Sequence, residues 1–170
     1  MRRPAAYAGK KGGIWMQTID ARLQSDVWSR VRGAAASQDV EGVAPAELQR
    51  WMEEAKARWA GYRRLAAELG GRDGAVLREL AAGQAARCRQ LHALYFLQTG
   101  QRLRLPPPAP AASGPPDARL RSAWQAEQRL RRQDAEAAER WPAMADAFAA
   151  LSRAAAARAR TLCSLLARRL

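Results

Sequence analysis

Lysine, histidine and cysteine are nearly missing from these 170 residues. Lysine occurs only as Lys10, Lys11 and Lys56, histidine only as His92, and cysteine only as Cys88 and Cys163. Valine and isoleucine are scarce too. Each shortage excludes something. Few β-branched residues, set against abundant Ala, Leu, Arg, Gln and Glu, disfavour sheet and favour helix. The two cysteines form no C-x-x-C pair, so the paired C-x-x-C pattern of a zinc site is absent, as are a P-loop and a G-x-G-x-x-G. No apolar run approaches the ~20 residues of a membrane span. The N-terminus "MRRPAAYAGKKGGIW" is basic but has no apolar stretch behind it, so it does not read as a secretion signal. Two reduced, semi-buried thiols in a cytoplasmic protein are the expectation.

What is present is arginine, alanine and a spaced set of large apolar residues. Nearly half the chain is apolar and the net charge is +13, a composition that folds rather than staying disordered. The charge admits two readings. One is an anionic partner such as nucleic acid. The other is an Ala/Arg/Gly bias in which arginine replaces lysine on solvated helix faces, and this second reading is preferred.

The apolar spacing divides the chain. Residues 1–15 read as a disordered basic arm. Residues 16–44 read as an N-terminal helical segment, with Ile19, Leu23, Val27, Trp28 and Val31 at helical intervals, followed by a loop. Residues 45–170 read as four antiparallel helices near 45–69, 73–99, 117–140 and 143–169. Pro45 suits a first helical position, and "GGRDG" supplies a stop between the first two helices. Asp117 is expected to cap the third helix, and "RWPAM" breaks it from the fourth. The proline-rich connector 100–116, "GQRLRLPPPAPAASGPP", cannot be helix. Short turn, long crossover, short turn is the order of a bundle of two helical hairpins.

The two hairpins echo each other. Ala55 and Tyr62 are followed by Gln84 and Arg87, while Glu127 and Asp134 are followed by Ala155 and Arg158, with internal steps of seven and three residues in both halves. Together with "LHALYFLQTG", "YRRLAAELGG" and "VWSRV", these positions resemble the rubrerythrin-like bacterial branch of the ferritin-like superfamily. The resemblance covers roughly residues 25–170. It implies an all-α, ferritin-like four-helix bundle. In that family two inward Glu residues and two E-x-x-H pairs hold a di-iron centre, because residues three apart share one helix face. Carried over by register, the ligand positions fall on Ala55, on Gln84 and Arg87, on Glu127, and on Ala155 and Arg158. Glu127 alone remains a residual metal ligand, since a guanidinium cannot shed its proton and coordinate a cation. Glu54 lies about 100° around the helix from Ala55 and reads better as a surface pair with Arg58.

The resemblance therefore implies a degenerate metal site, with no cofactor expected and iron only if a residual site persists. The leading expectation is a non-enzymatic structural or interaction protein, a homo-oligomer or the partner of another helical protein, with no membrane association. Two alternatives stand beside it. One is a residual iron- or peroxide-handling oxidoreductase built on Glu127, Asp134 and Cys88, and the other is a non-specific electrostatic nucleic-acid binder. His92 lies off the inner stripe and is expected to be structural or solvated. Arg87 and Arg89 flank Cys88, which would favour its thiolate, but a small helix-packing residue is the preferred reading. Arg158 and Arg87 are expected to turn inward and pair with Glu127 or Asp134, because a charge on an apolar stripe needs a partner.

Overall fold

Proline, glycine and apolar spacing set the boundaries of four helices. The computed structural model describes residues 42–108 and 113–169. The arm expected over 1–15, residues 16–41 of the segment expected over 16–44, and part of the connector lie outside them. Helix α1 spans Pro45–Leu69, α2 Gly71–Thr99, α3 Pro116–Arg140 and α4 Ala145–Ala167, with a 3-10 turn at Pro142–Met144 before α4. Among the described residues there is no strand, and no helix is long and apolar enough to cross a membrane.

The helix ends refine the sequence reading. Proline occupies the first turn of both α1 and α3, where its missing N–H costs nothing and its fixed φ suits the helix. Gly70, at φ 62°, suffices to end α1, so α2 begins at Gly71 rather than Asp73. Asp117 makes no capping hydrogen bond. Its carboxylate instead accepts from Arg169 Nε at 2.7 Å, while Asp73 accepts from Arg169 Nη1 at 3.1 Å. Both acids sit in the first turn of a helix, where the macrodipole favours negative charge. A left-handed Gly100, at φ 69°, terminates α2.

Those contacts also fix helix direction. Arg169, just beyond α4, touches the starts of α2 and α3, and Arg119 near the start of α3 pairs with Glu68 near the end of α1. The end of α1, the starts of α2 and α3 and the end of α4 therefore share one end of the molecule. The helices form two packed pairs, α1 with α2 and α3 with α4, and the pairs meet along α2–α4 and α1–α3. Every helix is antiparallel to its two neighbours, while α2 and α3 run the same way across the diagonal. At Gly74 the two helices of the first pair approach so closely that a Cβ would lie 2.6 Å from the Ala66 carbonyl oxygen.

The core comes in two parts. One end holds Val43, Leu48, Trp51, Met52, Leu91, Trp141, Phe148 and Leu151. Its centre is an edge-on aromatic group, with Trp51 6.4 Å from Trp141 and 5.8 Å from Phe148 between ring centroids. Such pairs add roughly 0.5–1.5 kcal/mol beyond the area they bury. The other end holds Tyr62, Leu65, Leu77, Leu80, Leu120, Leu162 and Leu165. Between these two sets α2, α3 and α4 carry the buried polar residues Gln84, Arg87, Glu127, Asp134 and Arg158.

Candidate functional site

The mid-bundle layer is built from residues that helical spacing turns inward. Ala55 and Ala155 are fully buried, as are Gln84, Glu127 and Asp134. Arg87 is 1% exposed and Arg158 7%. The helices thus carry four formal charges into an apolar interior, two of each sign.

Their partners follow from reach. Glu127 on α3 accepts from all three other helices. Tyr62 Oη of α1 donates to its Oε1 at 2.8 Å, Gln84 Nε2 of α2 to the same oxygen at 2.5 Å, and Arg158 Nε of α4 to Oε2 at 3.0 Å. Asp134, two turns further along α3, has one partner. Arg87 grips it in a fork, Nη1 to Oδ2 at 2.5 Å and Nη2 to Oδ1 at 2.8 Å. A planar guanidinium matches a carboxylate in this way, and the two parallel bonds fix orientation as well as charge. Only long side chains can join α2 to α3 across the diagonal, which is why arginine and glutamine make these links.

The electrostatics are those of a sealed site. Burial pushes the Asp134 carboxyl above its ordinary value, and the hydrogen bonds and charge of Arg87 offset this only in part. Burial, then the adjoining Glu127 carboxylate, pushes the Tyr62 phenol well above its ordinary value. Tyr62 is therefore a neutral donor at any physiological pH. Not every polar atom is matched. Gln84 Oε1, Arg87 Nε and one terminal nitrogen of Arg158 are buried without a hydrogen-bond partner among the described residues. The charges balance, but the donors and acceptors do not fully.

This donor set does not fit a di-iron centre. Both oxygens of Glu127 are engaged by Tyr62, Gln84 and Arg158, and Asp134 is held by Arg87. The layer's remaining charged residues, Arg87 and Arg158, are guanidiniums that cannot coordinate a cation. Among the described residues, no three His, Cys, Asp or Glu side chains gather around one point where a metal ion could be held.

The remaining sequence candidates lie elsewhere. Glu54 pairs with Arg58 at 3.3 Å on the outer face of α1. At Cys88 burial opposes the thiolate that its neighbouring cations would favour. Burial pushes its thiol above the ordinary value, outweighing the nearby charges of Lys56 and Arg89, and Sγ lies 3.8 Å from the Met52 carbonyl oxygen. Cys163 is exposed. His92 is half-buried and lines a surface cleft with Lys56, Trp59, Cys88 and Arg89. Sequence reasoning placed Tyr62 on the core face without assigning it to the site. The signal was its seven-residue step from Ala55, matching the step from Glu127 to Asp134. Compared with known proteins, the chain matches no family model, no curated protein and no solved structure.

Proposed function

We propose that this chain is a ferritin-like, rubrerythrin-related helical protein in which buried ion pairs have replaced a di-iron centre. Its role on this reading is structural or interaction-based rather than catalytic, as a homo-oligomer or as the partner of another helical protein. One observation carries the reading: Gln84, Arg87, Glu127 and Arg158, the positions where the family resemblance expects ligands, meet in one buried layer, where Gln84 and Arg158 bind Glu127 and Arg87 binds Asp134. The shared direction of α2 and α3, which calls for a long crossover between hairpins, supports the same architecture. A residue set that neutralises itself has neither an open coordination position nor a free base. What it supplies is a tie between helices at the level where metal bridging would otherwise act.

The test is metal content and its dependence on Glu127. The full chain, produced in iron-rich medium, is expected to carry far less than one iron per chain, and Glu127→Ala is expected to lose stability without changing that content. Stoichiometric iron that disappears in Glu127→Ala would reject the reading in favour of a residual oxidoreductase.

A further inference from the structure

The residues this chain uses most sparingly meet in one place. The only histidine, the only lysine among the described residues and one of the two cysteines line a single cleft of about 390 Å³ on the outer face of the first hairpin. Helix α1 contributes Lys56 and Trp59, three residues apart and so on one face. Helix α2 contributes Cys88 and His92, four apart, with Arg89 beside them. Leu105 of the connector closes a third side. The volume falls in the range of small-molecule sites, which run from roughly 300 to 1,000 Å³.

Some surface arginines meet acids: Arg58 meets Glu54, Arg119 meets Glu68, and Arg169 meets Asp73 and Asp117. In the cleft, among the described residues, no carboxylate lines the wall, and neither Arg89 nor Lys56 has an acidic partner. Lys56 Nζ donates to the carbonyl oxygens of Leu105 and Pro106, at 3.3 and 2.6 Å. An ammonium has three donors, so one remains for a ligand, and the two backbone bonds hold it in place. Trp59 adds a flat apolar wall. The Arg63 guanidinium lies 5.1 Å from the centre of its ring and steadies its plane.

We propose that this cleft binds a small anion that carries a planar ring. Lys56 and Arg89 take the oxyanion and His92 adds a further donor, while Trp59 and Leu105 cover the ring. Oxyanion recognition by a fixed ammonium and a guanidinium is ordinary chemistry. The wall made by an indole and a leucine selects a flat apolar body over a bare ion. Aromatic carboxylates and nucleoside phosphates share this chemistry. Gln84 of the mid-bundle layer also lines the cleft, but none of the four charged residues of that layer does, so the proposal uses none of the ion pairs on which the functional reading rests.

The single histidine makes the test direct, because the full-length protein has one imidazole Cε1–H resonance. It is followed by NMR during titration with AMP, benzoate and inorganic phosphate. A saturating shift with AMP or benzoate is expected, with inorganic phosphate at least about tenfold weaker for want of a ring. Arg89→Gln should weaken binding by about tenfold, the loss of one charge-assisted contact. Arg89 is exposed and without an ion-pair partner, so this variant should fold normally. Arg153→Gln, on the exposed face of α4, should change nothing. Saturation by AMP alone assigns a phosphate ester and by benzoate alone a carboxylate, and either supports the proposal. An equal, weak response to all three anions, or equal losses from Arg89→Gln and Arg153→Gln, would overturn it, since binding would then follow net charge alone.

Discussion

Glu127 and Asp134 are two buried acids on one helix, and they are held in opposite ways. Glu127 shares its charge among a phenol, an amide and a guanidinium from three helices. Asp134 depends on one arginine from one helix. The arginines differ as well. Arg158 keeps 7% exposure at the bundle edge, whereas Arg87 keeps 1%. Removing one acid therefore has different consequences. A freed Arg158 can extend toward solvent along its methylene stem, but a freed Arg87 has nowhere to go. The number of partners does not set how fragile a buried ion pair is. What sets it is whether the surviving charge can reach water.

The largest effect is expected from breaking the sealed pair. Asp134→Asn leaves the Arg87 charge in the core and should cost about 3–5 kcal/mol, while Glu127→Gln should cost only about 1–3 kcal/mol. Both are read as shifts in the urea unfolding midpoint. A double change, Arg87→Leu with Asp134→Leu, should recover most of the loss, because an apolar pair of similar reach can replace a buried ion pair. Equal costs for the two single variants would erase the distinction drawn here.

A second test uses pH. The folded Tyr62 phenol lies above its unfolded value, so above the ordinary phenol range near 10 the unfolded chain loses a proton that the folded chain keeps. The stability linked to Tyr62 is thus full below that range and is lost as the pH climbs through it. Tyr62 should ionise, by phenolate absorbance, only together with unfolding, and Tyr62→Phe should flatten the alkaline fall in stability. A Tyr62 that ionises in the folded state would show that the Glu127 side of the layer is open.

The smallest effect concerns the slack around Arg158. A Cβ on Gly83 would lie 3.1 Å from Arg158 Cδ, close enough to require a few tenths of an ångström of movement. Gly→Ala within a helix gains up to about 1 kcal/mol. Because the Arg158 arm is flexible and lies at the edge, Gly83→Ala should be neutral or stabilising by less than about 1 kcal/mol, measured as a small rise in Tm. A clear loss would show Arg158 to be as confined as Arg87.

Much of the helical frame was legible because apolar periodicity and proline and glycine breaks are local signals. Leu48, Trp51, Met52 and Ala55 declare one face of α1, and Phe148, Leu151, Ala155 and Leu162 one face of α4. The inward arginines were legible for the same reason, since Arg87 and Arg158 interrupt apolar stripes. Which acid each would choose was not, because that depends on how the helices pack, and for Arg87 on the diagonal between α2 and α3, a relation with no trace in local spacing. Asp117 looked like a helix cap, but a distant arginine claimed it together with Asp73. The pull of neighbouring arginines on Cys88 was legible but not its outcome, because sequence shows which charges are adjacent and not how much solvent has been removed. The cleft around Lys56 and His92 was invisible for a related reason, since it joins residues 36 positions apart that no single helical pattern links.

The bonds across the polar layer also bear on the order of events in folding. Each hairpin packs through contacts that are near in sequence, which close cheaply and early. The ties from Tyr62 and Gln84 to Glu127, and from Arg87 to Asp134, span 65, 43 and 47 residues and require both hairpins to be in place first. They are late-forming contacts. Interactions absent from the transition state leave the folding rate almost unchanged and slow its reverse. The buried ion pairs would then act mainly as a latch: they lengthen the lifetime of the joined hairpins without hastening their meeting.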